Sequence, residues 1–195
     1  MSRGGLYNVE LDAKTDVLKF ATGYVSQRLF ERKPIDDRVW IVATALTLIG
    51  FVTYQLLVNS WLDTSKFVSG SAKVAVDDML KWLTMFMVVQ LISGGSLSDP
   101  QWIKETGLYI SAIVAYDITL GNFVTSRMQS LDSTLALAAN DLVKWGTIFA
   151  AQNFVNGGEF DKQWFMSKGG FLTGIVVYDI LIDKYTQKLV KAGTL

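Results

Sequence analysis

The chain has 195 residues, half of them apolar, with 18% charged residues and no net charge. Charge is sparser than the roughly 25% usual for soluble domains, and mean hydropathy is positive (+0.30). There is no cysteine and no histidine, which excludes disulfides, thiolate nucleophiles, Ser-His-Asp and Cys-His catalysis and nearly all zinc sites. The balance points toward one membrane domain over residues 1–195, not an enzyme, with no cofactor and no basic footprint for nucleic acid.

Residues 1–8 read as a flexible start, and no secretory signal is expected, since the first long charge-free run begins only at Val39. From Asp16, the positions Val17, Phe20, Ala21, Tyr24 and Leu29 share one helical face. This profile, over residues 14–33, suits a helix lying in the bilayer interface or partly inserted. Val39 to Leu62 carries no charge and has Trp40 and Trp61 near its ends. As a helix it would reach about 36 Å, enough for a hydrocarbon core of about 30 Å. The stretches 63–77 and 125–140 read as connectors with short amphipathic helices.

A further helix is expected from Asp78 as N-cap to a Gly94-Gly95 stop, with a restart at Asp99-Pro100. Asp141, Gly157-Gly158 and Asp161 occupy the same places later in the chain. On this reading the helices beginning at Asp78 and Asp141 are about 14–17 residues long, at the lower edge for a span.

These parallels extend over whole segments. Asp78, Lys81, Trp82, Thr84 and Phe86 match Asp141, Lys144, Trp145, Thr147 and Phe149, and Tyr116-Asp117 matches Tyr178-Asp179. Upstream, Asp16, Lys19, Phe20, Thr22 and Tyr24 reproduce the start, and Tyr54-Gln55 the end; Arg32-Lys33-Pro34 replaces the glycine pair. The tyrosines 54, 116 and 178 are spaced by 62. The predicted fold is therefore all-α: a polytopic membrane protein of three tandem helical hairpins, 16–62, 78–124 and 141–187, in an antiparallel bundle. Connectors and termini would share one face, which holds more Lys and Arg than the hairpin tips, so the cytoplasmic side is expected for them.

Lys81 would lie about 20 Å along its helix from the glycine stop and Asp117 about 22 Å along the returning helix. Equal depth predicts intra-hairpin pairs Lys81–Asp117 and Lys144–Asp179, with Lys19 meeting Gln55. An acid near mid-bilayer costs about 2.5–3.5 kcal/mol on insertion scales, so partners are expected. Such pairs would staple each hairpin. A functional alternative gathers Gln55, Asp117 and Asp179 into a pseudo-threefold polar pathway. Trp40, Trp61, Trp82, Trp102, Trp145 and Trp164 are expected as interface anchors. The glycine pairs lack the Lys-Ser/Thr of a phosphate loop.

Tyr116-Asp117 and Tyr178-Asp179 resemble the first motif of intramembrane aspartyl proteases, but the second, Gly-x-Gly-Asp, is absent. The run from Asp78 through ISGGSLSDPQW to YISAIVAYDI resembles small hydrophobic proteins of nucleocytoplasmic large DNA viruses, including algal ones. These share a similar helix, Gly-Gly-Ser-Leu, Asp-Pro-x-Trp and a Gly/Ser-rich second helix, over about 40 residues of each copy. The resemblance implies a minor capsid or inner-membrane component tying bilayer to shell. The implied partners are lipid, capsid or other membrane proteins, with a homo-oligomer left open. One alternative is a small three-repeat transporter or channel. Mitochondrial carriers share that repeat count, but their Pro-x-Asp/Glu-x-x-Lys/Arg signature is missing here. The other is a soluble helical interaction module.

Overall fold

The computed structural model describes residues 3–59, 61–62, 66–128 and 130–191, and among these there are helices and no strand. Helix α1 spans Arg3–Phe30. Helix α2 has an α-helical part, Arg38–Thr53, that runs into a π-helical turn, Tyr54–Asn59. Helix α3 spans Gly70–Ile92. Helix α4 comprises Pro100–Ala115, a π-helical turn Tyr116–Gly121 and a last stretch Asn122–Arg127. Helix α5 spans Ser133–Val155. Helix α6 comprises Lys162–Val177, a π-helical turn Tyr178–Ile182 and Asp183–Lys191. Of the expected flexible start, Met1 and Ser2 lie outside the described residues, as do 63–65 and 129 in the connectors; from Arg3 the start is helical.

The turns follow from local chemistry. At the end of α3, Gly94 takes a left-handed conformation (φ 77°), so that the Gly94 and Gly95 N–H groups donate back to Leu91 and Gln90 carbonyls. Gly157 (φ 67°) does the same after α5, with Gly158 donating to Asn153. This closure satisfies carbonyls that the helix end would otherwise orphan. After α1 the same bonds form around Arg32 (φ 55°), where a side chain makes that conformation costly. Each following helix opens on an aspartate. Asp37 accepts from the Val39 and Trp40 N–H groups, Asp99 from Gln101 and Asp161 from Trp164.

The starts of α3 and α5 differ from expectation. Asp78 and Asp141 cap nothing; the helices begin at Gly70 and Ser133, the latter capped by Asp132. Each is 23 residues long because the connector's amphipathic stretch is continuous with it. A carboxylate mid-helix is free to point sideways, and that is how both are used.

Three helical stretches, Arg38–Asn59, Pro100–Arg127 and Lys162–Leu189, are long and apolar enough to cross a membrane. Only 22%, 17% and 33% of their most apolar stretches is buried, so most of that surface faces outward. Val39, Leu57, Ile118 and Leu181 are among the exposed side chains. That pattern fits a membrane protein.

Each helix packs on the next in sequence, and α6 returns to α1, closing a ring. The α6–α1 seam is tight enough that a Cβ on Gly174 would come within 2.5 Å of the Thr22 carbonyl oxygen. Gly50 plays a similar part between α2 and α3, where a Cβ would meet Met85 Cα at 2.7 Å. Small residues at such seams let backbones approach and gain dispersion contact, the main attraction between helices in lipid. On the axis, Phe20 of α1, Trp82 of α3 and Trp145 of α5 meet, with ring centroids 5.4, 5.8 and 4.8 Å apart. Phe51 stacks on Phe20 at 4.5 Å and completes a buried aromatic layer.

Candidate functional site

Asp16 and Lys19 share one helix, as do Asp78 and Lys81, and Asp141 and Lys144. Three residues at 3.6 per turn leave about 60° between acid and lysine. The acid therefore leans toward one neighbouring helix and the lysine toward the other. In a closed ring this offset joins all three helices.

Lys144 of α5 is buried between Asp78 of α3 and Asp117 of α4, its Nζ 2.6 Å from Asp117 Oδ1. It also lies 5.8 Å from the centre of the Tyr116 ring. Lys19 of α1 is held by Asp141 of α5 and Asp179 of α6, with Nζ 2.7 Å from Asp179 Oδ1. Lys81 of α3 lies 2.9 Å from Asp16 of α1. There Gln55 of α2 donates to Asp16 at 3.0 Å and accepts from Asn59 at 2.7 Å. Each helix pair thus presents a clamp that receives the lysine of the next, on two acids in the second pair and on Asp16 backed by Gln55 in the first, and the last pair's two acids receive the first lysine.

The second clamp residue sits, each time, one position into a π-helical turn: Gln55, Asp117 and Asp179 follow Tyr54, Tyr116 and Tyr178. The tyrosines are buried, and Tyr116 donates to Asn140 Oδ1 at 3.3 Å. π-helical turns of this kind are frequent at functional sites.

This corrects the expected pairing. Among the described residues Lys81 bonds Asp16 rather than Asp117, Lys144 bonds Asp117 and Asp78 rather than Asp179, and Lys19 bonds Asp141 and Asp179 rather than Gln55. Depth along the bundle brought the right residue types to one level, but each lysine leans across the seam to the preceding pair. Gln55, Asp117 and Asp179 do not meet one another as a single polar pathway; each occupies its own seam. Sequence reasoning missed the roles of Asp16, Asp78 and Asp141. The recurring Asp-x-x-Lys spacing was the signal that could have found them.

Two of the six expected anchors are corrected as well. Trp82 and Trp145 directly follow ring lysines, a turn of about 100° that aims them at the axis, and both are buried there. Trp61 is 91% exposed, whereas Trp40, Trp102 and Trp164 are half-buried. Arg28 lies over the Trp40 ring at 5.2 Å while pairing with Asp37. Gly94, Gly95, Gly157 and Gly158 form the two helix stops described above.

On the tip side of the aromatic layer lies a cavity of about 240 Å³ lined from all six helices. Tyr24, Phe86 and Phe149 form its walls on α1, α3 and α5; Thr47, Tyr109 and Phe171 face it from α2, α4 and α6. The ring of ion pairs lies on the far side of that layer, so charge, aromatic plug and cavity stack along one axis.

No protein-family model matches the sequence, and no curated protein or solved structure is significantly similar to it.

Proposed function

We propose that the chain is a structural integral membrane protein, built as one domain from three copies of a helical hairpin (16–62, 78–124 and 141–187). The observation that carries this reading is the interlocked ring: each lysine closes on the clamp of another helix pair. Three more observations support it. The π-helical turns begin at Tyr54, Tyr116 and Tyr178, at the spacing of the sequence repeat. The tip closures recur around Arg32, Gly94 and Gly157. The outer faces of α2, α4 and α6 are apolar, as a lipid-facing belt must be. Ion pairs set between helices fix one arrangement of the bundle, a role suited to a scaffold.

From the resemblance in ISGGSLSDPQW we further propose that the protein is a minor capsid component of the inner membrane of a large DNA virus. There the apolar belt sits in lipid and the polar tips face a shell protein or a second copy of the chain. Fractionation of purified particles tests it. The protein should stay with the shell after mild detergent strips the lipid; its absence from particles would defeat the proposal.

A second reading, a small three-repeat transporter or channel, is favoured by the stacking of cavity, aromatic layer and ion-pair ring on one axis. Solute flux in liposomes that is lost on combining Asp117→Asn with Asp179→Asn would favour it over the scaffold.

A further inference from the structure

The axial cavity has a feature that packing does not require. Lys168 of α6 lines it, with Nζ 4.9 Å from the centre of the Phe149 ring. Among the described residues no carboxylate forms an ion pair with Lys168, in contrast to the three ring lysines. Glu31, which acts on it through space, is itself paired with Lys33 at 2.8 Å. Gln27, Gln152 and Thr47 are further polar side chains that line the cavity. Gln27 is engaged by Ser167 at 2.7 Å.

An ammonium drawn into an apolar space costs free energy unless an anion joins it. The remaining lining is mostly ring faces and edges, which favour an aromatic guest by about 0.5–1.5 kcal/mol per contact beyond area burial. Size limits that guest. A dry cavity of about 150 Å³ accepts benzene, so a space of about 240 Å³ accommodates one ring with a small substituent. We propose that this cavity is a binding site for a small aromatic monocarboxylate, its carboxylate on Lys168 and its ring against Phe86, Tyr109 and Phe149. The site requires only the closed bundle and is independent of whether the chain serves as scaffold or transporter.

Equilibrium dialysis of the full chain in mild-detergent micelles against labelled benzoate, with benzamide as the neutral isostere, tests it. A hydrogen bond to a charged group corresponds to roughly tenfold or more in affinity. Benzoate should bind saturably, one per chain, and about tenfold more tightly than benzamide on the unaltered protein. Lys168→Gln should abolish that preference and Lys168→Arg should retain it. Absence of saturable benzoate binding, equal affinity for benzamide, or a preference that survives Lys168→Gln would each overturn the site. The benzoate–benzamide comparison decides the matter even if a variant does not fold.

Discussion

The clamp that receives Lys81 differs from the other two by one side chain. Asp16, itself bonded by Gln55, holds Lys81, whereas Asp78 and Asp117 hold Lys144, and Asp141 and Asp179 hold Lys19. In the first clamp one cation meets one carboxylate, and an amide relays the hydrogen bond to Asn59. In the other two a single cation is shared by two carboxylates, and Asp179 is almost wholly buried. The lysine is thus more essential where two acids would be left behind without it. The same helix pair departs again at its tip, where Arg32 does what Gly94 and Gly157 do elsewhere. The first pair keeps the geometry with different residues, so geometry rather than residue identity is the common element.

The largest contrast should come from removing the lysines. Lys144→Met strands two carboxylates, Asp117 buried and Asp78 partly so, and should cost about 3–5 kcal/mol. Lys81→Met strands one acid that still has an amide donor, and should cost about 1–3 kcal/mol. Thermal unfolding in micelles measures both, and equal losses would show that the two clamps are energetically alike. Converting the first clamp to the type of the others tests the same difference from the other side. Gln55→Asp removes the 3.0 Å bond to Asp16 and sets two carboxylates side by side. A loss of about 1–3 kcal/mol is expected by the same assay. A gain in stability would show that Gln55 is the weaker residue.

Smaller effects are expected at the tips. Arg32→Gly relieves a left-handed side-chain-bearing residue and should stabilise the protein by about 0.5–1 kcal/mol. Gly94→Ala should destabilise it by about 1–2 kcal/mol, since its open surroundings leave backbone conformation as the cost.

The smallest effect concerns acid. The Trp40 N–H and then Arg28 hold the Asp37 carboxyl below the usual carboxylate range. A carboxyl depressed on folding stabilises above its unfolded value, near pH 4, and loses that contribution as pH falls through its folded value. Melting temperature should therefore drop more steeply between pH 4 and pH 2 for the native chain than for Asp37→Asn, a comparison read by circular dichroism.

Helix ends were legible because caps and stops are local. Asp99-Pro100 and Gly94-Gly95 determine their own backbone whatever surrounds them. The level of the ring was legible too, since rise per residue converts sequence distance into depth. Azimuth was not. Whether Lys144 leans toward α6 or across to α4 depends on how helices rotate against two neighbours at once, and ring closure sets that rotation. The true starts of α3 and α5 were hidden for a related reason: Asp78 and Asp141 resemble N-caps when the residues before them are read as a separate connector. Trp82 and Trp145 resembled interface anchors by type and neighbours, and only the position of the axis shows that they are buried.

In this bundle the lysines join successive helix pairs rather than closing each on itself. A double-mutant cycle measures this directly, using Lys144→Met with Asp117→Asn and, separately, with Asp179→Asn, read by unfolding free energy in micelles. Lys144 and Asp117 should couple by about 1–3 kcal/mol, and Lys144 and Asp179 by less than about 0.5 kcal/mol. The reverse ranking would contradict the ring.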